Sequence, residues 1–325
     1  MNPTVSVIVA TYNRAALLDE CLGHLARQRF EPGDELIVVD NGSTDHTGRV
    51  IARHRERGSV PLRYFNEPRP GKSRALAKAL AAAAGDVLAF TDDDVNVEAG
   101  WLDAIRGAMG DPEVALVGGP VAPRWERRVP RWLVLDAEGY GRLSAPLAIV
   151  DYGRTAADLG DRTFLGANMA ARREVFERVG GFAPHLGKLR GTLLSGEDHD
   201  FCRRVQAAGF RAQYRPDARV RHWVPASRMR LRYFLNWFFW SGITNAALDE
   251  GAAGHGRTIF GLPLYLVRRF LKAVASLPVH AILARRAAAL DAAVDAAFAT
   301  GYAANRWGLV RLEVPPERVP AGDAV

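Results

Sequence analysis

Short apolar runs alternate with segments whose apolar residues recur every three or four positions, and this alternation governs most of the first two hundred residues. Val5 to Ala10 is nearly all small or β-branched, as a strand buried on both faces requires. After Thr11-Tyr12-Asn13-Arg14, the residues Leu17, Leu18, Cys21, Leu22 and Leu25 take helical spacing. Glu35 to Asp40 predicts a second buried strand. It is closed by Asn41-Gly42-Ser43-Thr44-Asp45, a turn cluster that also offers caps to a helix from His46. Leu62 to Phe65 predicts a third strand, Pro68-Arg69-Pro70-Gly71 breaks it, and a largely alanine helix follows from Ser73 to Ala84. Asp86 to Thr91 and Val114 to Gly118 read as the fourth and fifth strands. Strands alternating with helices predict an α/β fold with a doubly wound, mostly parallel sheet.

The pattern loosens from Pro120 to Asp161, where prolines and tryptophans suggest an insertion lying over the sheet. Thr163 to Ala170 then reads as a strand, followed by a helix to Val179 that stops at Gly180-Gly181-Phe182. Ser195-Gly196-Glu197-Asp198 opens a helix that runs to Ala208 and stops at Gly209. Arg219 to Trp223 closes the compact part, residues 1–225. Residues 226–325 form an extension with three helical or irregular apolar stretches punctuated by Arg pairs.

A chain of 325 residues can bury a sizeable core, and its apolar and charged content is that of a globular protein. The start, Met1-Asn2-Pro3-Thr4, lacks the basic and apolar regions of a signal peptide, so a cytoplasmic location is expected. Cys21 and Cys202 offer neither a disulfide framework nor zinc spacing and read as reduced core residues. The net charge of +7 is local. Between Arg228 and Arg286 nine Lys/Arg face only Asp249 and Glu250, an excess of seven that accounts for the whole imbalance. That concentration points to a local anionic partner. Nucleic acid is not expected, because the basic residues sit among apolar ones and no nucleic-acid motif is present.

The strongest chemical signal is Asp92-Asp93-Asp94, directly after the fourth strand. Open α/β sheets bind ligands at the carboxyl ends of their strands. Three adjacent carboxylates repel one another unless a cation is present, and such oxygen ligands suit Mg²⁺ or Mn²⁺. A single acid there would simply favour the next helix N-terminus. Glu197-Asp198 forms a second acidic cluster, which by itself is a good helix cap. Gly71-Lys72-Ser73 is not a P-loop, because the required glycine five residues earlier is Asn66. It leaves a flexible glycine beside Lys72 and Arg74 at a helix N-terminus, a reasonable anion site.

Taken in order, Thr11-Tyr12-Asn13-Arg14, Asp40 to Asp45, Gly71-Lys72-Ser73, Asp92 to Asp94, Gly166-Ala167-Asn168-Met169, Gly180-Gly181-Phe182, Gly196-Glu197-Asp198 and His222 resemble a family 2 inverting glycosyltransferase with the GT-A fold. The resemblance spans about the first 225 residues. It implies a nucleotide-binding half at 1–119, an acceptor half at 120–225 and a helical C-terminal extension at 226–325. It further implies transfer from a nucleotide sugar, expected to be UDP-linked, to the hydroxyl of a saccharide or lipid-linked acceptor in cell-surface polysaccharide or glycolipid synthesis.

The resemblance also assigns residues. Thr11, Tyr12, Asn13 and Arg14 would border the nucleotide, with Asp40 on the base or ribose, although Asp40-Asn41-Gly42 equally suits an Asx-turn. Lys72 and Arg74 would meet the phosphates. Asp92 and Asp93 would serve the donor, and Asp94, with Asp92 and His222, the metal. Asp198 would be the general base, supported by Glu197. An Asn that many family members carry soon after the glycine is replaced here by Ala77 or Lys78. Arg128-Val129-Pro130-Arg131-Trp132 spells the R-x-x-R-W of processive synthases but precedes Glu197 instead of following it, so transfer of a single sugar is expected. A sugar nucleotidyltransferase and a non-catalytic nucleotide-sugar-binding subunit are the alternatives. For the aromatic, Arg-bearing tail the readings are core packing or peripheral contact with the anionic inner face of the cell membrane.

Overall fold

A computed structural model describes residues 2–133, 142–183, 193, 196–249 and 257–310. Strands β1 (Val5–Thr11), β2 (Glu35–Asp40), β3 (Leu62–Asn66), β4 (Val87–Asp92) and β6 (Val114–Gly118) form where the apolar runs predict them; β5 (Val95–Val97) is a short addition directly after the acid triplet. The intervening helices are α1 (Ala15–Leu25), α2 (Thr47–Arg57), α3 (Lys72–Ala82) and α4 (Trp101–Met109). Further along come β7 (Val121–Trp125), β8 (Ala157–Asp158), β9 (Asn168–Arg172), α5 (Arg173–Val179), α6 (Glu197–Ala207), β10 (Arg211–Tyr214) and β11 (Val220–Val224). Ser195, expected at the start of α6, lies outside the described residues.

The main sheet has the order β3-β2-β1-β4-β9-β6-β10-β8. Because side chains alternate across a strand, the central strands feed two separate cores. Val5, Val7, Val9, Leu36 and Val38 pack beneath α1, α2 and α4, while Ile8, Ile37, Val39, Leu88 and Phe90 pack beneath α3, α5 and α6. Both cysteines are buried and free in these cores, and burial pushes the Cys202 thiol up to about 12.

Two expectations change. The strand anticipated over Thr163–Ala170 begins at Asn168 and runs antiparallel to both β4 and β6. Phe164 behaves as a core plug: a side chain at Gly118 would lie 2.5 Å from its ring, so the apolar pair Phe164-Leu165 marks packing against a neighbour. The region after Pro120 also contains order that its composition hides. Here β7 pairs in parallel with β11, and β11 pairs antiparallel with β5, making a small second sheet. Those partners lie about a hundred residues apart, beyond the reach of local pattern.

Three helices make up the described extension: α7 (Leu231–Asp249), α8 (Leu264–Ile282) and α9 (Arg286–Arg306). Phe234 and Phe238 of α7 are buried with Leu147, Ile149, Val224, Leu290 and Val294, which joins the extension to the insertion and the second sheet. Trp132 meets Phe234 edge-on at 5.1 Å, so the tryptophan of the R-x-x-R-W sequence is a packing residue. Helices α7 and α9 nearly touch: a side chain at Gly301 would lie 1.9 Å from the Phe239 carbonyl oxygen, and one at Gly242 would lie 2.1 Å from that of Phe298.

Candidate active site

Sheet register gathers the polar strand ends. Thr11 stands opposite Asp40 across β1 and β2, and Ala10 stands opposite Asp92 across β1 and β4. Since β2 and β4 flank β1 on opposite sides, the chain reverses direction across the sheet here, the place where open α/β sheets form a ligand crevice.

The acid triplet sits in a web of cations and hydroxyls. Lys72 Nζ donates to Asp92 Oδ1. Arg14 Nη1 donates to Asp93 Oδ1 at 2.9 Å and to Asp94 Oδ2 at 2.8 Å, and Thr11 Oγ1 donates to Asp93 Oδ2 at 2.8 Å. Burial pushes Asp93 up to about 6 despite the opposing pull of Arg14, and the neighbouring Asp94 and Asp92 add to the rise. Burial by itself would lower the pKa of Lys72. Asp92, Glu197 and Asp198 overcome that and raise it, so the lysine is charged.

The second sheet carries His222 to this cluster from 128 positions downstream of Asp94. Its β-strand partner is Val95, and the Trp223 N–H donates to the Asp94 carbonyl at 2.8 Å. His222 Nε2 lies 3.7 Å from Asp94 Oδ1, both side chains being buried, and Arg228 Nη1 approaches the same ring nitrogen at 3.3 Å.

Glu197 and Asp198 open α6. The preceding Gly196 has φ +138°, a conformation that L side chains rarely adopt, and so it turns the chain sharply into the helix. The Gly166 N–H donates to Asp198 Oδ2 at 3.0 Å, and the His199 N–H donates to Oδ1 at 2.9 Å. The Gly196 N–H donates to Glu197 Oε2 at 3.1 Å. The N-cap position itself is Gly196, and the acidic pair instead takes up backbone N–H groups in and beside the first turn, which fixes where Asp198 points. The carboxylate is half-buried on a cleft of about 620 Å³ whose walls include Arg14, Lys72, Asp92, Glu197 and His222.

Other residues named from sequence make structural contacts beside these strand ends. Asn13, at φ 50°, accepts from the Thr44 N–H at 2.7 Å through Oδ1 and donates from its own N–H to Ser43 Oγ at 2.9 Å. It therefore stitches two loops together. Asp40 Oδ1 accepts from the Ser43 N–H at 2.8 Å, forming the Asx-turn. Tyr12 is half-buried beside Thr11, and the half-buried Arg74 lies with its side chain over Gly71 in the first turn of α3.

Residues that sequence reasoning missed complete the surroundings. Asn41 donates from Nδ2 to the carbonyls of Glu67 at 2.8 Å and Arg69 at 2.7 Å, and accepts from the Gly71 N–H at 2.8 Å. It thereby shapes the loop that delivers Lys72. Buried Asn168 accepts from Trp101 Nε1 at 2.8 Å and donates to the carbonyls of Pro120 and Ala218, clamping the main sheet to the segment before β11. Arg142, Arg228, Tyr233 and Trp237 also line the cleft. Arg228, Tyr233 and Trp237 belong to the basic, aromatic tail, whose composition indicates a partner without showing that part of it faces the site.

A family model described as glycosyl transferase family 2 matches residues 6–180, which cover β1 through α5 and hence the acid triplet. The chain belongs to this family. It is 28% identical over 257 residues to the glucosyl-dolichyl phosphate glucuronosyltransferase of Haloferax volcanii, covering 75% of this chain and 77% of that one. It is also 28% identical over 257 residues to the O-antigen chain rhamnosyltransferase RfbN of Salmonella typhimurium, covering 77% and 76%. Its fold is that of the mannosyltransferase PcManGT from Pyrobaculum calidifontis, solved in complex with GDP-Man and Mn²⁺, with a TM-score of 0.63, 24% identity and coverage of 95% and 88%. The chain is thus a glycosyltransferase with a GT-A fold and a helical C-terminal addition.

Proposed function

We propose that this family 2 enzyme moves a sugar from a nucleotide sugar to an acceptor hydroxyl with inversion, and that Asp198 is the base. The observation that carries the reading is the segregation of charge around the cleft. The acid triplet and Lys72 stand at the strand ends, and Asp198 stands separately at the start of α6 with both oxygens oriented by backbone N–H groups. A donor with its diphosphate at the strand ends turns the far face of its anomeric carbon towards Asp198. There the carboxylate accepts the acceptor's proton as the new C–O bond forms, and the anomeric C–O bond breaks with its electron pair leaving on the diphosphate. Direct displacement of this kind inverts the anomeric centre. Lys72 and Arg228 supply positive charge near the leaving group.

Asp94 and His222, buried and facing each other, suit a divalent cation in donor chemistry. No group of three His, Cys, Asp or Glu among the described residues would enclose an ion. Mg²⁺ or Mn²⁺ would therefore take the rest of its shell from diphosphate and water, as such ions commonly do. When bound, the cation would neutralise charge developing on the diphosphate.

We assign the nucleotide half to residues 1–119 and the acceptor half to 120–225, joined on the cleft by Arg228, Tyr233 and Trp237 of the extension. The two relatives, one named for a dolichyl phosphate-linked sugar and one for an O-antigen chain, favour polysaccharide or glycolipid assembly on a saccharide or lipid-linked acceptor. A thermal-shift panel of UDP- and GDP-sugars, with and without Mn²⁺, tests the donor. One nucleotide sugar is expected to stabilise the protein in a metal-dependent way, with a UDP-sugar the donor that the resemblance implies. No shift with any nucleotide refutes the reading. Asp198→Asn is expected to keep that shift and to lose transfer by about 10²–10⁴-fold, the usual worth of a general base. Surviving transfer would remove Asp198 from the role.

A further inference from the structure

We infer that the outer face of the extension docks on an anionic lipid bilayer, with α8 lying in the plane of the headgroups. Among the described residues, eleven of the twelve large apolar side chains exposed to solvent lie at or beyond Leu231, and Tyr64 is the other. Helix α8 turns Leu266 and Ala273 inward. On its outer side Leu271, Val274, Pro278 and Ile282 recur at three- and four-residue spacing, all exposed, with Ile282 at 83%. Arg268 and Lys272 flank this stripe and are exposed as well. The apolar surface continues onto the turn before α8 and the end of α9, where Phe260 is 86% exposed, Leu309 74% and Trp307 55%. Between them is an apolar recess of about 390 Å³. An apolar stripe flanked by Lys and Arg, with aromatic residues at its rim, is the pattern of a helix held at a membrane surface.

Charge decides between occupants. From Arg257 to Arg286 the chain has six Lys or Arg and no Asp or Glu. Arg269 is turned to Asp295 of α9, at 2.6 Å; the remaining cations would face like charge in a second copy meeting this surface, whereas a bilayer carrying anionic lipid complements them. No helix among the described residues is long and apolar enough to cross a membrane, so the contact is peripheral. The face is also linked to the cleft through packed helices. Helix α8 packs on α9, α9 meets α7 through Gly242 and Gly301, and α7 presents Tyr233 and Trp237 to the site.

Co-sedimentation of the full chain tests the inference. The vesicles are equal parts phosphatidylglycerol and phosphatidylcholine, with phosphatidylcholine alone for comparison. Binding is expected only to the anionic vesicles and is expected to fall as salt rises. Phe260→Asp with Ile282→Asp is expected to weaken partitioning by about tenfold or more, given the transfer energy of two large apolar groups. Arg268→Glu with Lys272→Glu is expected to weaken it by at least about fivefold per residue. Both double variants should retain the wild-type melting temperature and the donor-induced thermal shift, which separates this inference from the proposed chemistry. The inference is overturned if the wild-type chain ignores anionic vesicles at low salt, or if the Phe260/Ile282 variant binds like the wild type. It is also overturned if light scattering shows a dimer that this variant breaks while vesicles remain unbound.

Discussion

Replacing Arg14 with alanine asks what holds the acid triplet together before any donor arrives. One guanidinium nitrogen bridges Asp93 and Asp94, whose side chains retain 6% and 3% of their exposure, while Arg14 retains 39%. Hydrogen bonds to charged groups contribute about 1.5–3 kcal/mol each, and breaking a buried pair costs roughly 3–5 kcal/mol. The partial exposure of Arg14 lets water screen part of this, so about 2–4 kcal/mol is a reasonable expectation, or roughly 4–10 °C in melting temperature. The sign with pH is specific. Asp93 is already raised from 3.8 to about 6, so its contribution to stability is full below 3.8 and is lost as pH rises through 6. Removing Arg14 raises it further. Asp93 is then protonated at pH 5 and tolerated there, whereas at pH 8 it must be ionised without its partner. Differential scanning fluorimetry in EDTA should therefore show a larger deficit for Arg14→Ala at pH 8 than at pH 5. An unchanged melting temperature at pH 8, or a larger deficit at pH 5, would refute the reasoning.

Two further substitutions probe the supports of the site. Asn41→Ala removes three hydrogen bonds from the loop before Lys72 and should cost about 2–3 kcal/mol. It should also weaken the donor-induced thermal shift more than it lowers turnover at saturating donor; an unchanged shift argues against a positioning role. Gly301→Ala places a methyl 1.9 Å from the Phe239 carbonyl oxygen and should destabilise by at least about 1–3 kcal/mol, read in urea unfolding. A neutral result would mean that α7 and α9 part easily.

Much of the framework was legible because it is written locally. Four buried strands, β1, β2, β4 and β6, announce themselves as apolar runs bounded by turn residues, and the more exposed edge strand β3 follows from the turn signals around it; the acid triplet is conspicuous as three consecutive carboxylates at a strand end. Less legible is anything that depends on direction or on distant partners. Arg14 follows Asn13 in sequence and shares its polarity, yet Asn13 ties two loops together while Arg14 turns inward to the carboxylates. Thr163 to Ala170 has strand-like composition, but Gly118 opens a socket for Phe164 and the strand begins only at Asn168. The cleft-facing roles of Tyr233 and Trp237 were hidden within a tail whose other face is exposed, since composition does not assign sides of a helix.

The backbone contact between α7 and α9 has a consequence for substrate choice. With no side chain to compress at Gly242 and Gly301, the helices have no slack across which the extension could slide. If that contact holds as the Gly301→Ala prediction expects, the span from the outer surface of α8 to Asp198 is a fixed ruler. If α8 rests on a membrane, an acceptor hydroxyl is selected by its height above the lipid as well as by its chemistry. Chains whose terminal sugar stands too near or too far would fail to reach Asp198.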